Sequence, residues 1–236
     1  MMEVNTERYS RHLLLPEIGE VGQKRLHEAS VLVVGCGGLG CPALQYLVAA
    51  GVGRIGMVDA DVVSVSNLQR QILFGTKDVG RYKVEVAKEK LSDLNPDTIF
   101  DIYPEMLTTD NAEDIISRFD LVLDCCDNFP TRFLIGDVTA RLQKPLVFGS
   151  IYQFEGQVSV FNYQNGPAYR ELFPEAPEGV RPASEVGVLG VLPGVIGGIQ
   201  ATEAVKIITG AGEVLSGRLL LYDALKMNFQ VFRIKA

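Results

Sequence analysis

Four apolar residues, Val31-Leu32-Val33-Val34, run directly into Gly35-Cys36-Gly37-Gly38-Leu39-Gly40, and a helical pattern continues from there to about residue 50. A short, wholly apolar strand that enters a glycine-rich turn and then a helix opens a βαβ unit, which confines the chain to folds built on a parallel sheet. Gly35, Gly37 and Gly40 fit G-x-G-x-x-G. Such glycines permit a tight turn and bring backbone N–H groups at a helix N-terminus close to phosphate. Asp59 ends the next strand, 54–59, at the position where an acid commonly accepts hydrogen bonds from a ribose. This fingerprint points to a nucleotide without saying which one. A merely tight strand–helix turn is the alternative.

The alternation continues downstream. Residues 98–103, 120–124 and 146–150 read as strands, with helices near 110–117 and 130–141. Between residues 80 and 94, Val84, Ala87, Leu91 and Leu94 share a helix face, and Asn95-Pro96 closes that helix. After residue 150 the pattern changes. Residues 157–163 alternate like a half-exposed strand, 165–187 read as a long surface loop, and a helix at 194–209 precedes an antiparallel pair at 217–223 and 228–234. The expectation is an α/β Rossmann-like mixed sheet, parallel in its N-terminal half and antiparallel at its C-terminal end, with helices on both faces. Residues 1–236 make one domain, with an N-terminal helical arm at 1–29 and a crossover-type loop at 165–187.

Composition narrows the function. The 236 residues carry 22 Lys plus Arg against 29 Asp plus Glu, a net charge of −7, which argues against a nucleic-acid or membrane-surface partner. The most apolar stretch, 186–202, is broken by Pro193 and several glycines and is shorter than the roughly 20 residues of a spanning helix. The N-terminus is polar and unlike a signal peptide, and Cys36, Cys41, Cys125 and Cys126 form no C-x-x-C pair. Reduced, buried thiols in a cytoplasmic protein are expected.

The segment after the second strand is unlike that of a dehydrogenase. Asp59-Ala60-Asp61 leads to Ser66-Asn67-Leu68-Gln69-Arg70-Gln71, and Lys83 stands on the next helix. Arg70 and Lys83 suit a polyphosphate, one as a bidentate fork and the other as a compact charge. By periodicity alone Lys83 belongs to a solvated helix face, and Asn67 equally fits a cap. The strand 120–124 ends in Cys125-Cys126-Asp127-Asn128, at the edge where open α/β sheets bind ligands. There Asp127 could hold Mg²⁺ through a hard oxygen or cap the helix near Pro130. At the N-terminus, Arg8-Tyr9-Ser10-Arg11 precedes Leu13-Leu14-Leu15-Pro16. That segment is either a surface helix packing Leu13 and Leu14 on the core, or one carrying an arginine to an anionic site in cis or across a dimer.

Taken together, RYSRHLLLPEIGEVGQKRL, VLVVGCGGLGCP, AAGVGRIGMVDADVVSVSNLQRQ, GRYKVEVA, LVLDCCDNFPTRF and GVLGVLPGVIGGIQATEAVK resemble the MoeB/ThiF/HesA family, bacterial relatives of ubiquitin-activating enzymes. The resemblance runs from about Arg8 to Ile234. It implies an adenylyltransferase that uses ATP and Mg²⁺ to adenylylate the C-terminal glycine of a ubiquitin-fold sulfur carrier ending in Gly-Gly, releasing pyrophosphate, in thiamine or molybdopterin chemistry. By that resemblance Gly38 faces the phosphates, Asp59 holds the ribose, and Ser66, Asn67, Leu68, Gln69, Arg70 and Lys83 line the nucleotide. Asp127 binds Mg²⁺ beside Asn128, and Arg11 crosses a homodimer interface to the partner's ATP. Arg11, Arg70, Lys83 and Asp127 are the expected catalytic set. The attacking group is the carrier's own carboxylate, so a chain with only 2 His needs no side-chain base.

The chain departs from the family pattern at two places. Many members hold a structural zinc with two C-x-x-C pairs; here Ala168-Tyr169-Arg170-Glu171 stands at the first, and no second precedes Ala236, so no zinc is expected. Ala183 occupies the place of a cysteine that some relatives use for thioester or persulfide chemistry. These losses keep a catalytically silent ATP-binding scaffold open as an alternative, and an NAD-dependent oxidoreductase is a more distant one.

Overall fold

The computed structural model describes residues 5–234 other than 178, 180 and 182. Expectations placed on 1–4, on those three positions, on the side chain at 183 and on 235–236 lie outside the described residues. The chain opens with two helices, α1 (Ser10–Leu13) and α2 (Gly19–Glu28). Then come β1 (Ser30–Val34), α3 (Gly40–Ala49), β2 (Arg54–Val58), α4 (Lys83–Leu94), β3 (Ile99–Tyr103), α5 (Ala112–Ser117), β4 (Leu121–Asp124) and α6 (Phe129–Arg141). The second half holds β5 (Leu146–Tyr152), β6 (Glu155–Phe161), α7 (Tyr169–Leu172), α8 (Ala183–Val186), α9 (Leu192–Thr209), β7 (Arg218–Asp223) and β8 (Asn228–Arg233).

All eight strands form one sheet in the order β3-β2-β1-β4-β5-β6-β7-β8. From β3 through β5 the pairing is parallel, and from β5 to β8 antiparallel, so the mixed sheet expected from the pattern is the one observed. Two-faced burial explains the apolar run in β1. Val31 and Val33 join one core with Leu44, Leu47, Val84 and Ile196, whereas Leu32 and Val34 join another with Ile116, Phe119, Ile135 and Phe148. A strand covered on both faces cannot alternate apolar with polar. Between β1 and β4 the strand order reverses, which opens the crevice where such sheets bind ligands, outside the carboxyl ends of the strands.

Three local expectations need correction. Leu14 is 72% exposed and does not pack on the core, while Leu13 is half-buried. Tyr9, which is buried, anchors the arm: its ring lies against Gly51, and its hydroxyl accepts a hydrogen bond from Asn95 Nδ2 at 2.9 Å. Leu94, assigned to the buried face of α4, is 40% exposed while Val86 is buried, because the helix turns toward the sheet around Val84, Val86, Ala87 and Leu91. The 165–187 segment contains α7 and α8, and Tyr169 is buried among Phe133, Phe148, Phe161 and Phe173. Backbone near a pleated aromatic face gains more from burying that ring than from remaining a solvated loop. β5 and β6 join in a tight hairpin that turns at Gln153 with φ +51°.

Candidate active site

The glycine loop lies at the carboxyl ends of β1 and β4. Gly35 has φ +96°, and a Cβ there would sit 2.6 Å from the Cys125 carbonyl oxygen, so glycine is required twice over. A Cβ on Gly40 would collide with Gly35 O, which is the close helix–strand approach the third glycine permits. The two middle glycines face a different neighbour. A Cβ on Gly38 would meet Pro193 at 3.1 Å and Arg70 Cγ at 3.7 Å, and one on Gly37 would meet only the Gln71 carboxamide, Nε2 at 3.4 Å. No side chain caps the α3 N-terminus, leaving its orphan amides directed at the loop.

Asp59 stands beside this loop. Its carboxylate accepts from the Cys36 N–H at 2.7 Å and the Asp61 N–H at 2.9 Å. Burial pushes the pKa of its carboxyl above the usual carboxylate range, although the Lys83 ammonium and these two amides pull the other way. Lys83 is not on a solvated face. It is 4% exposed at the first turn of α4, and its ammonium lies 2.7 Å from Asp61 Oδ2 and 4.0 Å from Asp59 Oδ2. Periodicity missed this because the partner carboxylates come from the preceding strand end rather than from the helix.

The excursion from 62 to 82 carries the other candidates. Asn67 acts as the cap that its residue type allows, accepting from Ser64 N–H at 3.1 Å, and Ser66 Oγ pairs with Ser64 Oγ at 2.9 Å. Leu68 packs partly against the core, and Gln69 lies against Gly190. Arg70 donates to Ser66 O at 3.1 Å and lies along Gly38.

At the end of β4, Asn128 caps α6 by accepting from Thr131 N–H at 2.9 Å. Asp127 is therefore not the cap: it is exposed and makes no hydrogen bond or ion pair among the described residues. Its backbone is fixed by a charge the sequence reading passed over. Arg132, buried, pairs with buried Asp124 at 3.0 Å and donates to Cys126 O at 2.8 Å and Gly149 O at 3.2 Å. All four cysteines are buried. Desolvation raises the Cys36, Cys125 and Cys126 thiols and carries Cys41 up to about 12, so none is a ready thiolate. Among the described residues, no group of three or more His, Cys, Asp or Glu side chains is placed to hold a metal ion.

Gly38, Asp59, Arg70, Lys83, Asp127 and Asn128 thus share one edge of the sheet. Arg11 does not join them. It is exposed and, among the described residues, unpaired on α1, which is tied to the far end of α3 through Tyr9 against Gly51, His12 to Gln23, and Gln23 to Ala50 O. The length of α3, about 15 Å, separates that anchor from the glycine loop.

A doubly wound sheet with a glycine-rich loop, an acid at the end of its second strand and a buried lysine at its switch point has the form of a nucleotide-binding α/β protein. The chain belongs to the ThiF family, which it matches over residues 9–236. It is 52% identical to a sulfur carrier protein adenylyltransferase of Thermus thermophilus, over 97% of this chain and 87% of that protein. It is also 49% identical to the adenylyltransferase and sulfurtransferase MOCS3 of Drosophila sechellia, over 97% of this chain but only about half (51%) of that longer protein. The crystal structure of Escherichia coli MccB with ATP shares the fold, with a TM-score of 0.85 at 21% identity over 98% of this chain and 72% of that one. No described helix is long and apolar enough to cross a membrane.

Proposed function

We propose that this chain is an ATP-dependent adenylyltransferase that activates the C-terminal carboxylate of a ubiquitin-fold sulfur carrier ending in Gly-Gly. The carrying observation is the buried Lys83 ammonium between Asp59 and Asp61 at the mouth of the glycine loop. A nearly dry cation at a switch point is a phosphate-binding device, and Arg70 adds a second from the adjacent excursion. Asp59, with its oxygens already gathering amide donors, suits the ribose hydroxyls. Carboxylates are ionised at neutral pH, so the carrier's own oxygen attacks the α-phosphorus without a base. The bond from that phosphorus to the bridging oxygen breaks, and pyrophosphate leaves with the electron pair. Lys83, Arg70 and the loop amides stabilise charge on the phosphate oxygens as this happens.

Asp127 is a hard oxygen donor with no protein partner among the described residues, which fits a Mg²⁺ that arrives with the nucleotide. When bound, that ion neutralises phosphate charge. No structural zinc belongs to this reading, because Ala168 and Glu171 stand where the first cysteine pair would.

A path for the carrier tail supports the choice of partner. Leu225, Met227, Phe229 and Val231 are exposed at the β7–β8 end, next to Phe154, whose carbonyl accepts from Ala224 N–H at 2.9 Å. Gln153 O accepts from Leu189 N–H at 2.9 Å, Gly190 touches Gln69, and Pro193 touches Gly38. These contacts lead from an apolar corner to the phosphate loop, as a docked domain with an extended Gly-Gly tail requires. Arg11, remote from its own loop, fits a homodimer in which it serves the partner's site. Exposed Leu14 just after α1, Val21 on α2 and Tyr46 on α3 offer that dimer an apolar face. A cytoplasmic location accords with four reduced, buried thiols.

The test is exchange of labelled pyrophosphate into ATP by purified protein with each Gly-Gly-ended carrier of the same genome. Exchange with one carrier is expected. ATP binding with no exchange for any of them would replace this reading with the silent scaffold.

A further inference from the structure

The guanidinium of Arg132 is buried, and each of its nitrogens is bonded. Nε donates to Asp124 Oδ2 at 3.0 Å, Nη1 to Ser150 Oγ at 3.1 Å, and Nη2 to Cys126 O at 2.8 Å and Gly149 O at 3.2 Å. It also lies over the Phe148 ring, 5.0 Å from the centroid. One charge on α6 thereby joins the end of β4 to β5. Asp124, wholly buried, adds a second link, because its Oδ1 accepts from Cys126 N–H at 3.1 Å. Cys126 is thus held from both sides, its N–H by the carboxylate and its carbonyl by the guanidinium paired with that carboxylate. Behind it, Gln200 Nε2 donates to Asp124 O at 2.8 Å; ahead of it, Asn128 caps α6. Asp127 lies between these fastenings, with its own carboxylate exposed and unbonded among the described residues.

We infer that Arg132 is a positioning residue for the Asp127 carboxylate: pinned to Asp124, it holds the Cys126 carbonyl and so fixes the backbone from which Asp127 takes Mg²⁺. This inference rests on the Mg²⁺ reading of Asp127 above. A buried ion pair contributes little stability beyond what apolar side chains of the same volume supply, because desolvation offsets the attraction. Here both members of the pair also bond the backbone that leads into Asp127, so their effect falls on that residue's placement. A carboxylate on a loose turn would have to be ordered when the ion binds, and this framework orders it beforehand.

The test is Arg132→Lys, which keeps a positive charge beside Asp124 but replaces the planar fork with a single ammonium. Removing the charge outright would strand buried Asp124, so the second, gentler variant is Ser150→Ala, which deletes only the Nη1 bond. ATP affinity is read by calorimetry, first with a chelator and then across a Mg²⁺ titration, with Asp127→Ala measured alongside. For Arg132→Lys, the Mg²⁺ concentration that gives half of the affinity gain is expected to rise about tenfold or more, with the chelator affinity unchanged. Ser150→Ala is expected to shift it the same way by less. An unchanged Mg²⁺ requirement in Arg132→Lys overturns the inference. So does an equal loss of affinity with and without Mg²⁺, which marks Arg132 as structural. Should Arg132→Lys fail to fold, Ser150→Ala decides alone: a raised requirement supports the inference and an unchanged one overturns it. If Asp127→Ala keeps the Mg²⁺ dependence of the unaltered protein, the Asp127 reading fails and takes this inference with it. If Asp127→Ala loses that dependence while Arg132→Lys keeps it, only the role of Arg132 is lost.

Discussion

Lys83 donates to Asp61 twice: its backbone N–H reaches the Asp61 carbonyl at 2.9 Å, and its ammonium reaches the Asp61 carboxylate at 2.7 Å. Just inside this pair, Val63 N–H donates to Arg81 O and Gly80 N–H to Val63 O, each at 2.9 Å. The double clip therefore closes the neck of the excursion that displays Ser66 through Arg70. A single residue sets the charge at the loop and the shape of the segment facing it.

Lys83→Met removes the charge while keeping an unbranched side chain. Pyrophosphate exchange should fall by roughly 10²–10³, the usual cost of deleting one preorganised electrostatic contact. Asp61→Asn should be milder, because Asp61 is 70% exposed and its backbone half of the clip survives. Equal losses in the two variants would show that the neck, and not the Lys83 charge, governs activity.

Asp59 titrates above the ordinary carboxyl range because it is buried. Between the unfolded value near 3.8 and its own raised value, the folded protein holds a proton that the unfolded chain releases. Its contribution to stability is thus complete below that window and declines as pH rises through it. Nucleotide binding has the opposite slope, since a ribose needs the ionised acceptor. ATP affinity should weaken as pH is lowered into this window, and Asp59→Asn should flatten that dependence. A profile identical in the variant would remove Asp59 from the site.

Asp127 and Asn128 are adjacent yet separable. Asp127→Ala should abolish Mg²⁺-dependent exchange and leave the melting temperature unchanged, since no hydrogen bond or ion pair among the described residues is lost. Asn128→Ala deletes a helix cap and should cost about 1 kcal/mol of stability. Thermal melts of both variants decide the matter; a marked fall for Asp127→Ala contradicts its unpaired state.

Arg11→Ala and Asp127→Ala should each be inactive as homodimers. Mixed and allowed to exchange subunits, they should regain about a quarter of the original activity, because half the dimers are mixed and each has one intact site. No recovery after verified exchange would show that Arg11 does not act in trans.

Tyr169 packs against Gly136 and meets four phenylalanine rings within 6 Å of its own. Tyr169→Ala should cost about 3–5 kcal/mol. A chelator should leave the melting temperature of the unaltered protein where it was. A drop on chelation would reveal a structural metal.

The parallel half of the sheet was legible because Val31 to Val34 and the glycine loop are local signals, each carried by neighbouring residues. Lys83 was legible only through the family resemblance, since helical spacing describes only its own helix, whereas Asp59 and Asp61 reach it from another element. The same limit hides Asp124 and Arg132. Each looks like a surface charge in sequence, and only the fold places them together in the interior. Tyr169 was hidden by its company: prolines, glycines and acids downstream of residue 165 outweighed one ring whose partners lie on β5, β6 and α6. At Asp127 and Asn128 the residue types were right, but which of the two capped α6 depended on one turn of backbone.

Every residue of β8 is exposed, and β8 is the last strand of the sheet, so one row of its amides and carbonyls has no neighbouring strand among the described residues. Such a rim is a template on which another strand can form hydrogen bonds at once. It stands four strand spacings from β4, roughly 19 Å, so an added strand would leave the crevice between β1 and β4 untouched. The molecule therefore has a point of growth remote from its chemistry, where more sheet can accrete without altering how a nucleotide is held.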